Sequence, residues 1–106
     1  MEFDEISKKA LKLRKKLVSL QKQEYGSEWT NEEIYIGLVG DIGDLGKFIM
    51  TKEGRRSTEN GAERLSDELM DCLWSIIVLA HKFDIDIEKA FEEMIRKAEE
   101  KYNLNK

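Results

Sequence analysis

Apolar side chains recur at intervals of three and four residues along most of this chain, which is the period of an amphipathic α-helix. The pattern predicts helices over about residues 4–24, 32–50, 62–83 and 87–102, and a polar loop over about residues 51–60. Candidate N-caps are Thr30 or Asn31 for the second helix and Asp84 or Asp86 for the fourth. The stripes expected to face inward are Phe3, Ile6, Ala10, Leu13, Leu17 and Leu20 in the first helix, Ile34, Leu38, Ile42, Leu45 and Ile49 in the second, and Ile87, Phe91, Met94 and Ala98 in the fourth.

The third predicted helix differs from the others because apolar residues surround it on all sides. Between Leu69 and Ala80 only Asp71 and Ser75 are clearly polar, so we expect this helix to be buried at the centre of the fold. Four helices with short connections predict an all-α fold, an antiparallel four-helix bundle in which residues 1–106 form one domain. A bundle of this size struggles to cover both the first and the third helix, so we also expect a homo-oligomer.

Composition and charge narrow the classes of function. Hydrophobic residues make up 41% of the chain and charged residues 38%, which is typical of a soluble folded domain. The formal net charge of −4 gives no basic footprint for binding a nucleic acid polymer. One cysteine and one histidine exclude an internal disulfide and a zinc pattern made of cysteines and histidines. No signal peptide or membrane span is predicted, so we expect a cytoplasmic protein with no membrane partner.

Two pairs of carboxylates each lie on one stripe of a predicted helix. Asp41 and Asp44 are three residues apart in the second helix, as are Glu68 and Asp71 in the third. This spacing places the members of each pair about 60° apart around the helix axis. Clustered carboxylates repel one another and are costly to bury unless a bound cation or a positively charged side chain accompanies them. Oxygen ligands without sulfur or imidazole favour a hard cation, Mg²⁺ in particular.

The second helix also contains a glycine at every third position over one stretch. Gly37, Gly40, Gly43 and Gly46 each cost about 1 kcal/mol relative to alanine in a helix interior. Two explanations are open at this point. The glycines allow another helix to pack closely, or they leave room for a nucleotide beside the carboxylates.

The segments around the carboxylate pairs resemble a known family. The stretch GLVGDIGDLGKFIM resembles the segment of MazG-like nucleoside triphosphate pyrophosphohydrolases that carries a Glu-x-x-Glu pair. The stretch SDELMDCLWSIIVLAHKFDIDIEKAF is similar to the Glu-x-x-Asp helix of that family and the turn into its last helix. The resemblance covers about residues 29–102. The chain differs from the family in its first pair, where aspartates replace glutamates and shorten each side chain by one methylene.

The resemblance implies an activity and a ligand set. Members of the family cleave a nucleoside triphosphate between the α- and β-phosphates, giving a nucleoside monophosphate and pyrophosphate. By resemblance, Asp41, Asp44, Glu68 and Asp71 are the metal-binding and catalytic residues, with Mg²⁺ as the cofactor and Mn²⁺ as a substitute. Deoxyribonucleotides or modified nucleotides are the expected substrates. The resemblance also implies a homodimer or homotetramer.

Five further residues are predicted to bind the substrate. The stretch MIRKAEEKYN resembles a family segment with two basic positions and an aromatic one, so Lys97, Lys101 and Tyr102 are expected near the phosphates. The alternative for the lysines is an exposed charge that complements the helix dipole. Trp29 and Trp74 are expected to stack on the base or to form the wall of its pocket, with core packing as the alternative for both.

Other functions remain open on the sequence alone. The aspartates of the first pair favour a second candidate, a non-catalytic helical module that senses a nucleotide or a metal. A third candidate is a phosphoribosyl-ATP pyrophosphohydrolase, which shares the fold and the phosphate chemistry. A purely structural helical bundle would not explain why two carboxylate pairs face inward.

Overall fold

The computed structural model describes residues 1–57 and 60–104, and within them the chain forms four α-helices and no strand. These are α1 (Phe3–Tyr25), α2 (Asn31–Lys52), α3 (Gly61–Lys82) and α4 (Ile87–Lys101). The predicted all-α fold with four helices is confirmed. The predicted loop begins later than expected, because α2 continues to Lys52, and its residues 58–59 lie outside the described residues.

Local sequence signals explain where three of these helix ends fall. Gly26 ends α1 in a left-handed conformation with φ 81°, which glycine adopts without strain, and its N–H donates to the carbonyl of Lys22 at 3.0 Å. Thr30 begins α2 with a capping box, in which its side chain and that of Glu33 each accept from the backbone N–H of the other residue. Asp86 caps α4 by accepting from the N–H of Lys89 at 3.2 Å.

The core lies mainly between α2 and α3, with α1 packed across α3. An indole hydrogen bond joins α1 to α3, because the Nε1 of Trp74 donates to the carbonyl oxygen of Ala10 at 3.1 Å. The Arg64 guanidinium lies 4.5 Å from the centre of the Phe48 ring and covers one end of the core. The buried apolar residues are Ala10 from α1, Ile34, Leu38 and Phe48 from α2, and Cys72, Ile77 and Val78 from α3.

The prediction that α3 is buried on all sides is wrong. Met70 is 56% exposed and Ile76 is 49% exposed, and Asp71 is also exposed. The reason is geometric, because α1 and α2 cover only two sides of α3 and α4 does not cover the third.

The prediction that α4 buries its apolar stripe within the chain is also wrong. No residue of α4 is buried, and Phe91 and Met94 remain 59% and 53% exposed. The radius of gyration is 17.0 Å, whereas a compact chain of this length would have about 13 Å. The stripe that periodicity identifies on α4 is therefore real, but the described part of the chain supplies no surface that covers it.

The α2 glycines do not serve close packing against any of the residues that the structure describes. A Cβ built at Gly40, Gly43 or Gly46 would meet no described atom within 4 Å. These glycines lie on the side of α2 that faces away from Leu38 and the core, beside the exposed side chain of Ile36. Of the two explanations, close helix packing does not hold inside this chain. None of the helices in the described residues is long and apolar enough to cross a membrane.

Candidate active site

Three carboxylates from α2 and α3 come together at one point. Asp41 and Asp44 lie one turn apart on α2, and Glu68 faces them from α3. One oxygen of each lies within 4.8 Å of an oxygen of the other two, and all three side chains are half-buried. The arrangement follows from the sequence, since the two aspartates occupy the edge of the same α2 face whose Leu38 and Phe48 form the core against α3.

The electrostatics of this carboxylate cluster are unfavourable without a cation. Burial, together with the nearby negative charges, raises the pKa of Glu68, and the pKa of Asp41 is raised for the same reasons. Among the described residues, Oε2 of Glu68 is buried and has no hydrogen-bond partner. Lys47 offers only partial compensation, through a 3.4 Å ion pair with Asp44 at an exposed position.

A divalent cation fits these residues. The donor set is made entirely of carboxylate oxygens, and the buried oxygen of Glu68 lacks a partner that a cation would supply. A bound cation would also offset the repulsion that raises the two pKa values. Asp41, Asp44 and Glu68 are the residues that would hold it.

Asp71 stands apart from the other three predicted ligands. It is exposed and is not a member of the cluster within 4.8 Å. Its charge nevertheless acts on the cluster, because it helps to raise the pKa values of Asp41 and Glu68. The structure therefore places Asp71 beside the cluster, on its solvent side.

A cavity of about 610 Å³ lies next to the cluster, and Asp41 and Asp71 belong to its lining. We call it the α1 cavity, because α1 forms one wall and α2, α3 and the α1–α2 connection form the rest. Its size and mostly apolar lining are typical of sites that bind small molecules. The apolar lining residues are Leu13, Leu17, Leu20, Trp29, Ile34, Gly37, Met70 and Trp74.

The two predicted aromatic residues meet in this cavity. Trp29 is partly exposed in the connection before α2, and Trp74 is half-buried on α3 and fixed by its hydrogen bond to Ala10. Both indoles line the cavity, so the structure brings them together with Asp41 and Asp71. Gly37 contributes to the space, because a Cβ there would lie 3.9 Å from the Trp29 ring.

The structure does not bring the predicted residues of α4 to this cavity. Lys97 is exposed and lies 4.0 Å from Glu93, one turn earlier on the same helix. The Lys101 ammonium lies 5.3 Å from the centre of the exposed Tyr102 ring. None of the three residues lines the α1 cavity. Their predicted contact with phosphate stays a prediction.

Sequence reasoning missed two polar residues that line the α1 cavity. Arg14 is buried on α1 and donates to Oε2 of Glu28 at 2.8 Å. Gln21 is half-buried and accepts a hydrogen bond from the backbone N–H of Trp29 at 3.0 Å. Their positions could have indicated that they face inward, since Arg14 follows Ala10 by four residues and Gln21 follows Leu17 by four. Both therefore lie on the apolar stripe of α1.

Comparison with known proteins agrees with this geometry. The fold is helical, and carboxylates of two packed helices face each other beside a cavity. Residues 28–104 match the MazG nucleotide pyrophosphohydrolase domain, and the chain belongs to that family. No curated protein and no solved structure matched the chain. All of α1 precedes the matched segment, so the wall that carries Arg14 and Gln21 lies outside it.

Proposed function

We propose that this protein hydrolyses nucleoside triphosphates to nucleoside monophosphates and pyrophosphate with Mg²⁺ as cofactor. One observation carries the proposal: a carboxylate cluster with a buried, unpartnered Glu68 oxygen borders a cavity lined by two indoles. The cluster suits the charged triphosphate with its cation, and the cavity suits the flat, apolar base. Membership of the pyrophosphohydrolase family supports the reaction class.

The side chains of the site have two proposed roles, which are to hold the cation and to position the nucleotide. Asp41, Asp44 and Glu68 would hold the cation, which when bound stabilises negative charge on the phosphate oxygens. Asp71 lies outside this group and is exposed beside it, so its carboxylate is suited to accept the proton of the attacking water. The expectation that Asp71 is a fourth metal ligand stays a prediction. Trp29 and Trp74 would hold the base and so fix the α-phosphate near the cluster.

We also propose that the working form is a homo-oligomer, with a dimer as the minimum. The chain exposes 8367 Å², whereas a compact monomer of this mass would expose about 6,100 Å². The excess of about 2,200 Å² is the area that one subunit gives up in a large permanent interface. The uncovered stripe of α4 accounts for part of this excess.

Pyrophosphate release from a panel of ribo- and deoxyribonucleoside triphosphates, with and without Mg²⁺, tests the reaction. Phosphoribosyl-ATP belongs in the same panel, since the third candidate predicts its selective cleavage. We expect Mg²⁺-dependent formation of the monophosphate, substitution by Mn²⁺, and loss of more than a hundredfold in kcat in Glu68→Gln. Asp67→Asn is the control, because Asp67 is an exposed neighbour of Glu68 on α3 outside the cluster.

Asp41 and Asp44 have shorter side chains than the glutamates of the family. This difference supports one alternative, a module that binds nucleotide without turnover. That alternative predicts nucleotide binding and Mg²⁺-dependent stabilisation without release of monophosphate from any member of the panel. Such a result would contradict the proposed hydrolysis.

A further inference from the structure

We propose that the α1 cavity selects nucleotides whose base carries a carbonyl group at purine C6 or pyrimidine C4. Guanine, hypoxanthine, uracil and thymine carry such a carbonyl, whereas adenine and cytosine carry an amino group there. The inference rests on the proposed function and names the substrate class of the same site. It is carried by Arg14 and Gln21, two α1 residues that lie before the matched segment 28–104.

Arg14 supplies hydrogen-bond donors at a buried position. The residue is only 9% exposed, and its one side-chain partner among the described residues is Glu28, 2.8 Å away. A guanidinium has five N–H donors and no acceptor, so the contact with Glu28 leaves most of its donors for a ligand. The ion pair also fixes the side chain against the cavity wall. A base placed in this cavity therefore meets a group that can only donate.

Gln21 supplies donors as well, because its orientation is determined by its partner. A backbone N–H can only donate, so the amide oxygen of Gln21 must face the N–H of Trp29, which lies 3.0 Å away. That hydrogen bond occupies one lone pair of the amide oxygen, holds this oxygen toward Trp29 and leaves the NH₂ group for other contacts. Gln21 and Arg14 thus present the same polarity to the α1 cavity, although an amide can in general accept or donate.

The other polar residues of the lining are Glu24, Tyr25, Asp41, Asp71 and Ser75. Tyr25 is 70% exposed, and its hydroxyl can donate or accept. Glu24 is exposed, where water competes with any contact it makes. The hydroxyl of Ser75 can donate or accept and so does not discriminate. Asp41 belongs to the carboxylate cluster and Asp71 lies beside it, where the phosphates are proposed to lie.

A carbonyl facing these donors forms hydrogen bonds, whereas an amino group facing them offers them no acceptor. Well-placed pairs of this kind discriminate between bases by about 1–3 kcal/mol in other recognition sites. That range corresponds to roughly 5- to 150-fold in rate or affinity.

Two matched pairs of substrates isolate the effect of the carbonyl group. Hypoxanthine and adenine differ at C6, and uracil and cytosine differ at C4, so dITP against dATP and dUTP against dCTP compare carbonyl with amine. We expect kcat/KM to favour dITP and dUTP by about tenfold. Hydrolysis with equal rates, or with a preference for dATP and dCTP, would overturn this inference and leave the proposed function standing. Failure to hydrolyse any nucleotide would instead contradict the proposed function.

Substitutions on α1 test which groups carry the preference. Gln21→Glu keeps the shape and replaces the donor by an acceptor, so we expect it to lower both ratios at least threefold. Arg14→Met keeps an apolar stem and removes the guanidinium, with the same expected direction. Lys15→Met is the control, because it removes a neighbouring positive charge from an exposed position of α1 and should leave the ratios unchanged.

Binding gives a second measurement that needs neither turnover nor metal. The two tryptophans of the chain, Trp29 and Trp74, both line the α1 cavity, so quenching of their fluorescence reports its occupancy. We expect dIMP to quench at about tenfold lower concentration than dAMP, and Gln21→Glu to reduce that difference. Equal quenching curves, or ratios unchanged in both Gln21→Glu and Arg14→Met, would overturn the proposal.

Discussion

At the scale of single residues, Glu68 shows how a side chain that suits a cation weakens the protein without one. Its Oε2 is buried and has no hydrogen-bond partner in the part of the chain that the structure describes, and burial and the charges of Asp41, Asp71 and Asp44 raise its pKa. A carboxylate in that position contributes unfavourably to folding while it is ionised and alone. Glu68 therefore favours metal binding but lowers the stability of the metal-free protein.

Replacing this carboxylate by an amide should separate the two effects. In Glu68→Gln we expect the metal-free protein to be more stable, by no more than about 1 kcal/mol because solvent screens the half-buried charge. We expect the stabilisation by Mg²⁺ to be largely lost. Thermal unfolding at several Mg²⁺ concentrations measures both effects. An equal Mg²⁺ response in the variant and in Asp67→Asn would contradict the assignment of Glu68 to the cation site.

The pH dependence of stability follows from the direction of the same pKa shifts. Asp41 and Glu68 hold protons to a higher pH in the folded state than in the unfolded state. The folded state therefore binds more protons between their ordinary and raised pKa values. Over that window their contribution to stability is present at the lower pH and is lost as pH rises through the raised values. Urea unfolding of the metal-free protein should show this trend, and it should flatten in the double variant with Asp41→Asn and Glu68→Gln.

At the scale of elements, α2 combines a core face that is well packed with a glycine face that nothing covers in the described chain. Phe48 and Leu38 hold α2 against α3, while Gly40, Gly43 and Gly46 lie in open space. The helix thus retains the conformational cost of its glycines without a packing gain inside the chain. By contrast Gly61 at the start of α3 is needed for close approach, since a Cβ there would lie 2.5 Å from Cγ2 of Thr51.

These two kinds of glycine should respond oppositely to alanine. Gly46→Ala should raise the free energy of unfolding by about 0.5–1 kcal/mol, because it removes backbone freedom without a clash. Gly61→Ala should lower it by about 1–3 kcal/mol through overpacking against Thr51. Chemical denaturation of both variants measures the difference. Destabilisation by Gly46→Ala at the lowest protein concentrations would show that the glycine has a packing role within the chain.

The helices themselves could be predicted well from the sequence, because periodicity and caps such as Thr30 and Asp86 are local signals. The pairing of Asp41 with Asp44 could be predicted for the same reason, as spacing alone places them side by side. That Glu68 and not Asp71 completes the cluster depends on how α3 packs against α2. The pairing of Arg14 with Glu28 could not, since it depends on how α1 folds back on the connection that follows it. Periodicity also cannot say which surface covers a stripe, which is why the position of α4 was predicted wrongly.

At the scale of the whole molecule, the dominant feature is surface that is apolar and uncovered. Extents of 54 × 40 × 27 Å describe a chain that is far from spherical. Its α4 has a clear apolar side and no buried residue. A helix of this kind gains most of its stability from packing, so isolated subunits should have a weakly held α4.

Oligomer formation through this surface is directly measurable. We expect light scattering after size-exclusion chromatography to give at least twice the 12.4 kDa mass of one chain. Phe91→Asp should shift the population toward the monomer, because it places a charge in the middle of the apolar stripe. Lys89→Asp, on the opposite side of α4, is the matched control and should not. A monomer in the wild type at micromolar concentration would contradict the proposed assembly.

The wall that α1 forms has one further consequence. The acidic residues proposed for the reaction lie on α2 and α3, whereas Arg14 and Gln21 lie on α1, before the segment that matches the family. The catalytic residues and the residues that select the base would then lie on separate segments of the chain. Exchange of the N-terminal helix between related proteins could change which nucleotide is removed from the cell's pool while leaving the catalytic apparatus intact.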